Sequence, residues 1–213
     1  MSAITAPSLA LALALAACTG PQNAPPNSAP PASSYAPAAT LLPAPFNCPA
    51  RGTTTQVENY AQIMTITYQG SVGPATCQYT ANGVTTSSLY TQYPTATVTQ
   101  GLDAIAAGFA QLFAGQATSF SAEYVISTVG FSTLKFKDTW TVLGVDTLQV
   151  GGQPIRALVF QRVQEGERGS AFRGTERQWW DPVSGLWLKR QVINTDGWSW
   201  GPDWRVTSFQ RGF

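Results

Sequence analysis

Histidine is absent from the 213 residues of this chain. Without imidazole there is no Ser-His or Cys-His nucleophile pair, no general base poised near neutral pH, and no ordinary zinc or iron ligand set. Cysteine is scarce, at three residues, so thiolates do not replace the missing ligands, and neither a metal nor a cofactor is expected. Charge is thin as well: twelve basic and eleven acidic residues leave a formal net charge of +1, which offers no electrostatic footprint for nucleic acid. No glycine loop of the phosphate-cradling kind occurs. Ser170 and Ser184 stand beside glycine, but outside the context of a nucleophile elbow. Nothing in the pattern pairs a serine with Lys135, Lys137 or Lys189. Glu165, Glu176 and Asp181 are available for two-carboxylate chemistry, yet eight acids among eleven bases in residues 135–213 read as a solvated sheet face. Asp196 and Asp203 lack the spacing of a calcium loop. No catalytic residue and no enzymatic activity are predicted.

What the chain does have begins at its amino terminus. Residues 9–17 alternate Leu and Ala up to Cys18. That run is too short for a membrane-spanning helix, which needs about 20 apolar residues, and has the length of a signal-peptide core with small residues before a cleavage point. Leu15-Ala16-Ala17-Cys18 resembles the lipobox of bacterial lipoproteins. The resemblance implies cleavage after Ala17, acylation of Cys18 with palmitate among the chains, and a membrane anchor. Residues 1–17 contain no Lys or Arg, a departure from the basic start of such signals, and a start upstream of Met1 is the expectation that follows. Thr19, in place of the Asp that retains lipoproteins at the inner membrane, implies the outer membrane facing the periplasm.

Setting Cys18 aside leaves Cys48 and Cys77, an even pair in an oxidising compartment. A disulfide between them would stabilise the fold by roughly 3–4 kcal/mol on the chain-entropy model; two free thiols are the alternative. Residues 19–45 are uncharged and rich in Pro, Ala, Ser and Asn, a composition that favours an extended spacer. The domain plan is therefore 1–17 signal peptide, 18–47 lipidated cysteine and linker, and 48–213 a single folded domain.

Within that domain, residues 60–68 alternate with period two and carry β-branched side chains. Residues 75–80 and 84–91 flank Asn82-Gly83, a strong hairpin signal. From 99 to 115 the period becomes helical, with Leu102, Ile105, Ala106, Phe109, Leu112 and Phe113 on one face. Thr97 or Thr99 is the expected amino-terminal cap and Gly115 the carboxy-terminal one. The other face, Gly101, Ala104, Gly108, Gln111 and Ala114, has Asp103 as its only charge, which suits either close packing or a partner. Strands are expected at 120–128, 136–150, 155–164, 172–180, 186–193 and 203–210, separated by Gly- and Pro-rich turns. The fold class predicted is mainly β with one helix (α+β): a curved antiparallel meander sheet or half-barrel packed on an amphipathic helix.

The strand, turn and aromatic layout of residues 140–209, with "ERQWWDPVSGLWLKRQV" and "WRVTSF", resembles the LolA/LolB-like periplasmic antiparallel-sheet proteins. That resemblance implies a concave apolar face able to take a lipid. Six of seven tryptophans lie in residues 179–204. Adjacent Trp179 and Trp180 must face opposite sides of a strand, so one of them is expected outside the main core. Trp179, Trp187, Trp198, Trp200 and Trp204 are candidates for a ligand or partner platform, against plain packing at the sheet rim. Residues 60–99 are free of charge, the kind of edge that invites another strand. The functional expectation is a non-enzymatic outer-membrane lipoprotein acting as a tethered interaction or assembly module, through an envelope protein partner or self-association. The alternative is a carrier or binding module for a lipid or other hydrophobic ligand.

Overall fold

The computed structural model describes residues 35–60, 62–127, 133–166, 172–196 and 201–212. Cys18, Trp198 and Trp200 lie outside them. Twelve strands form one antiparallel sheet: β1 Thr54–Asn59, β2 Gln62–Gly73, β3 Thr76–Ala81, β4 Val84–Leu89, β5 Tyr93–Pro94, β6 Val98–Gln100, β7 Ser119–Ile126, β8 Leu134–Val150, β9 Gln153–Gly166, β10 Arg173–Trp180, β11 Trp187–Asp196 and β12 Trp204–Gln210. Their spatial order is β5-β4-β3-β2-β1-β12-β11-β10-β9-β8-β7-β6. The last strand therefore inserts beside the first and joins two meanders. The two edge strands, β5 and β6, are consecutive in the chain with only residues 95–97 between them. A sheet whose ends are three residues apart must curl, and the result is a nearly closed barrel. The mainly-β expectation with one helix thus holds, as does the curved meander.

The helix α1, Leu102–Phe113, links β6 to β7 and buries Ile105, Gly108, Phe109, Leu112 and Phe113. Its amino-terminal cap is Gly101 at φ 89°, with no side-chain cap, rather than Thr97 or Thr99. The chain passes so close to β7 there that any Cβ would run into the carbonyl oxygen of Glu123, a conformation and a space that only glycine accepts. Gly115 follows the helix at φ 68° as expected.

Two apolar clusters occupy opposite faces of the sheet. Leu158, Phe160, Trp180 and Trp187 join the helix residues in one, and Ala157, Val159, Trp179 and Leu188 form the other with Val57, Tyr68 and Val206. Strands β9, β10 and β11 are thus covered on both sides. The expectation for the tryptophan pair holds: Trp179 and Trp180 face opposite sides, with Trp180 in the main core and Trp179 outside it in the second cluster, where it too is buried.

The folded domain also starts earlier than residue 48. Ala36 bridges to Val145 of β8, the Ala44 amide donates to the carbonyl of Phe113, and Phe46 packs against Tyr90, Phe113 and Trp180. Residues 35–47 form a strap on the barrel, held at its end where Cys48 is disulfide-bonded to Cys77 of β3. Composition favoured a spacer here, but Leu41, Leu42 and Phe46 supply enough apolar surface to dock it.

Candidate functional site

Along β2 the side chains alternate. Ile63 and Thr65 face outward, while Met64, Ile66 and Tyr68 face the concave side. Register carries that pattern across the neighbouring strands: Val57 pairs with Met64, Ile66 with Ala81, Tyr68 with Tyr79 and Tyr79 with Thr86. The outward positions form a hydroxyl and amide layer, with Gln56 bonded to Thr65 at 3.0 Å and Thr80 to Thr85 at 2.9 Å. The inward positions form one wall of a cleft of about 400 Å³, which Trp187 and Trp204 complete. That volume lies in the range of small-molecule sites.

The cleft has no charged lining residue. Its polar groups are Asn59, Thr86, Thr91, Gln92 and the phenols of Tyr68 and Tyr79. Burial pushes the Tyr68 phenol well up, with Tyr79 beside it acting in the same direction, so it stays neutral. The lining offers apolar walls, aromatic rings and neutral hydrogen-bonding groups. Thr91 is brought there by a backbone that L-residues rarely adopt: Tyr90 and Thr91 have φ 52° and 56°. Consecutive left-handed residues cost of order 1–3 kcal/mol each. The buried Tyr90 ring offsets this, packed edge-on to Phe46 and tilted against Phe109 and Phe113, with its carbonyl accepting from the Trp187 indole at 2.8 Å.

A second constellation fills the barrel interior beside the helix. Asp138, fully buried on β8, accepts from Tyr93 at 2.5 Å and pairs with Arg162 of β9 at 2.6 Å. Arg162 also reaches Glu176 of β10 at 3.3 Å and the Tyr124 hydroxyl at 3.1 Å, and Glu176 pairs with Arg190 of β11 at 2.5 Å. Gln164 donates to Tyr124 and Gln178 to Glu176. The Trp140 indole donates to Tyr93, and the Arg162 guanidinium lies over the rings of both. Burial would raise the Glu176 carboxyl, but the Arg162 and Arg190 guanidiniums reverse this and hold it below the usual range. Burial, and for Tyr93 the Asp138 charge, push the Tyr93 and Tyr124 phenols up. Four of the charges expected on a solvated sheet face are thus inside the molecule, paired and satisfied. Such an arrangement rigidifies the interior and fixes strand register.

Of the platform tryptophans, Trp179, Trp187 and Trp204 are among the described residues, and Trp179 does not share a surface with the other two. Trp179 is buried in the second cluster, with its indole donating to Asp146 at 2.9 Å and Lys189 over its ring. Trp187 and Trp204 do meet, as cleft walls, and Trp204 is the more exposed of the two. Asp181 caps its own turn, accepting from the Val183 and Ser184 amides. Asp203 accepts from the Val192 amide, and no group of three or more potential metal-ligating His, Cys, Asp or Glu residues forms among the described residues. The Met64-Ile66-Tyr68 face was visible as alternation. That a cleft opens along it was not.

No protein-family model and no curated protein sequence matches the chain. Among solved structures it is similar to the hypothetical lipoprotein YmcC from Escherichia coli (K12), at 14% sequence identity, over 78% of this chain and 88% of that one, with a TM-score of 0.49.

Proposed function

We propose that this chain is a lipid-anchored, non-enzymatic protein of the bacterial cell envelope whose sheet binds an uncharged or largely apolar molecule. One observation carries the binding half: the cleft of about 400 Å³ lined by the inward side chains of β1–β4 has apolar and aromatic walls and no charged lining residue. The anchor half rests on Leu15-Ala16-Ala17-Cys18 and on the spacer that follows. By Thr19 the anchor lies in the outer membrane, with the barrel in the periplasm.

The test uses the full chain with Cys18→Ser, so that no attached acyl chain competes. N-phenyl-1-naphthylamine, an uncharged dye that brightens in apolar sites, should bind saturably to one site. Ala81→Trp or Thr86→Trp, each placing an indole in the cleft, should abolish the signal while leaving the circular dichroism spectrum unchanged. Dye binding that ignores both variants would count against the cleft. In cells, Cys18→Ser should move the protein from the membrane to the soluble periplasmic fraction; firm retention in the membrane would overturn the anchor.

A second reading, a tethered module for protein contact or self-association, has its own support. Strand β5 pairs with β4 only at Ser88 and Leu89, so Val84, Thr85 and Thr86 form an uncharged, β-branched edge with Val84 65% exposed. Such an edge can accept another strand. A concentration-dependent dimer abolished by Thr85→Pro would favour it.

A further inference from the structure

The cleft is not uniform along its length. On β1 to β3 its lining is apolar, with Val57 beside Met64 and Ile66 beside Ala81. Toward β4 and the turn after it the lining becomes polar: Tyr79 with its cross-strand partner Thr86, then Thr91 and Gln92. The Tyr79 hydroxyl and the side chains of Thr86 and Gln92 form no hydrogen bond to another described residue. The Thr91 hydroxyl donates to the Tyr90 carbonyl at 2.7 Å and is still able to accept. Hydroxyls and amides both donate and accept.

This polar end coincides with the strained backbone of Tyr90 and Thr91, both left-handed. Strain of that kind persists only where the surroundings over-determine it, and it clusters at ligand clamps. Here the Tyr90 amide donates to Ala75 and the Tyr90 carbonyl accepts from Trp187.

Two kinds of ligand suit these walls poorly. A hydrocarbon would strip water from the polar end and return no hydrogen bond. A charged head would be desolvated without a counter-ion, because no charged residue lines the cleft. The guanidiniums on either side of Trp204 in register and sequence, Arg190 and Arg205, are already paired with Glu176 and Glu58.

We propose that the ligand is an uncharged single-chain amphiphile with a hydroxylated head, its chain along Val57, Met64 and Ile66 and its head at Thr86, Thr91 and Gln92. This rests on the cleft being a binding site.

The experiment is displacement of N-phenyl-1-naphthylamine from the Cys18→Ser chain by 1-monodecanoylglycerol, methyl decanoate and decanoate, each below its aggregation limit. The first two share an acyl ester and differ in the hydroxyls of the head. The glycerol ester should compete about tenfold more strongly than the methyl ester, equivalent to roughly 1.4 kcal/mol, the scale of a net neutral hydrogen bond. That advantage should be indifferent to salt and should shrink in Thr86→Val, a near-isosteric change, with the methyl ester competing as before. Gln92→Met is the second variant if Thr86→Val fails to fold, and it should shrink the advantage too. Equal competition by the two esters, or an advantage that survives both variants, overturns the hydroxylated head and leaves the cleft standing. Decanoate outcompeting the glycerol ester overturns the uncharged head. Dye that none of the three displaces overturns the amphiphile. Failure of the dye itself to bind overturns the cleft reading first.

Discussion

Arg162 holds two buried carboxylates apart and neutral as a set: Asp138 on one side, Glu176 on the other, with Arg190 completing the count. Removing one member of a buried ionic set is worse than never having built it, because the partner charge stays desolvated. Arg162→Met is expected to cost about 3–5 kcal/mol, measured by urea denaturation. The same pairing sets the pH range of stability. The Glu176 carboxyl is held low in the folded state, so its contribution is fully present above the unfolded carboxylate value of about 4.3 and is lost as pH falls through the folded value. Tyr68, Tyr93 and Tyr124 are raised, so their contribution is present below about pH 10 and is lost as pH rises through theirs. Stability should be flat between these limits and decline on either side. Arg162→Met removes the largest influence lowering Glu176, so its acid limb should begin at higher pH than that of the parent. An unchanged acid limb would show that Arg162 does not hold Glu176 down.

At the scale of elements, the helix shows how local and tertiary preferences conflict. Gly108 sits in the middle of α1, where alanine is better by about 1 kcal/mol on propensity. A Cβ at Gly108 would overlap the ring of Phe120 on β7, and overpacking costs typically 1–3 kcal/mol. The packing loss is the larger, so Gly108→Ala should lower stability by about 1 kcal/mol; a gain would mean that Phe120 moves aside freely. This small-residue face drew notice in the sequence, and half of its meaning was legible. Gly108 admits a ring from the sheet, whereas Ala104, Gln111 and Ala114 are exposed. Strands β3, β4 and β7–β12 could be read closely because turns such as Asn82-Gly83 and Gly151-Gly152, all at positive φ, mark their ends. Strand β1 escaped notice. It has one buried apolar residue, Val57, and its partners are β2 and the far terminus of the chain, so its identity is set by non-local pairing. The strap at 35–47 was missed for the converse reason: its composition is that of a linker, and its docking depends on surface that only the assembled barrel presents. The buried network was hidden by counting charges along the chain. Across β9 and β10, Arg162 and Glu176 are direct partners, a relation that hairpin register alone would have suggested.

For the whole molecule, the unequal covering of the sheet has a consequence for its motions. Residues Ala157, Leu158, Val159 and Phe160 of β9 are fully buried, with alternate side chains in two different cores. Opening any of their backbone bonds means exposing both cores at once, so their amides should exchange only through global unfolding. Strands β2–β4 bury fewer side chains, chiefly Tyr68, Cys77, Ser88 and Leu89, and their outer layer of Thr, Gln and Ser faces solvent. Local opening there exposes less apolar surface and should be easier by several kcal/mol, as for other segments with few buried contacts. The disulfide pins β3 at Cys77, which limits the excursion at that end but leaves Tyr79 to Thr86 free to open. Native-state hydrogen exchange should therefore show two tiers, with β8–β10 slow and β2–β4 fast. A ligand seated in the cleft binds the closed form of the fast tier alone. It should slow exchange in β2–β4 by a factor that grows with ligand concentration, while β8–β10 follows global stability. Uniform exchange across the sheet would mean that β2–β4 is held as firmly as the doubly covered strands. The cleft would then be a rigid surface feature, and the coupling between binding and opening would be lost.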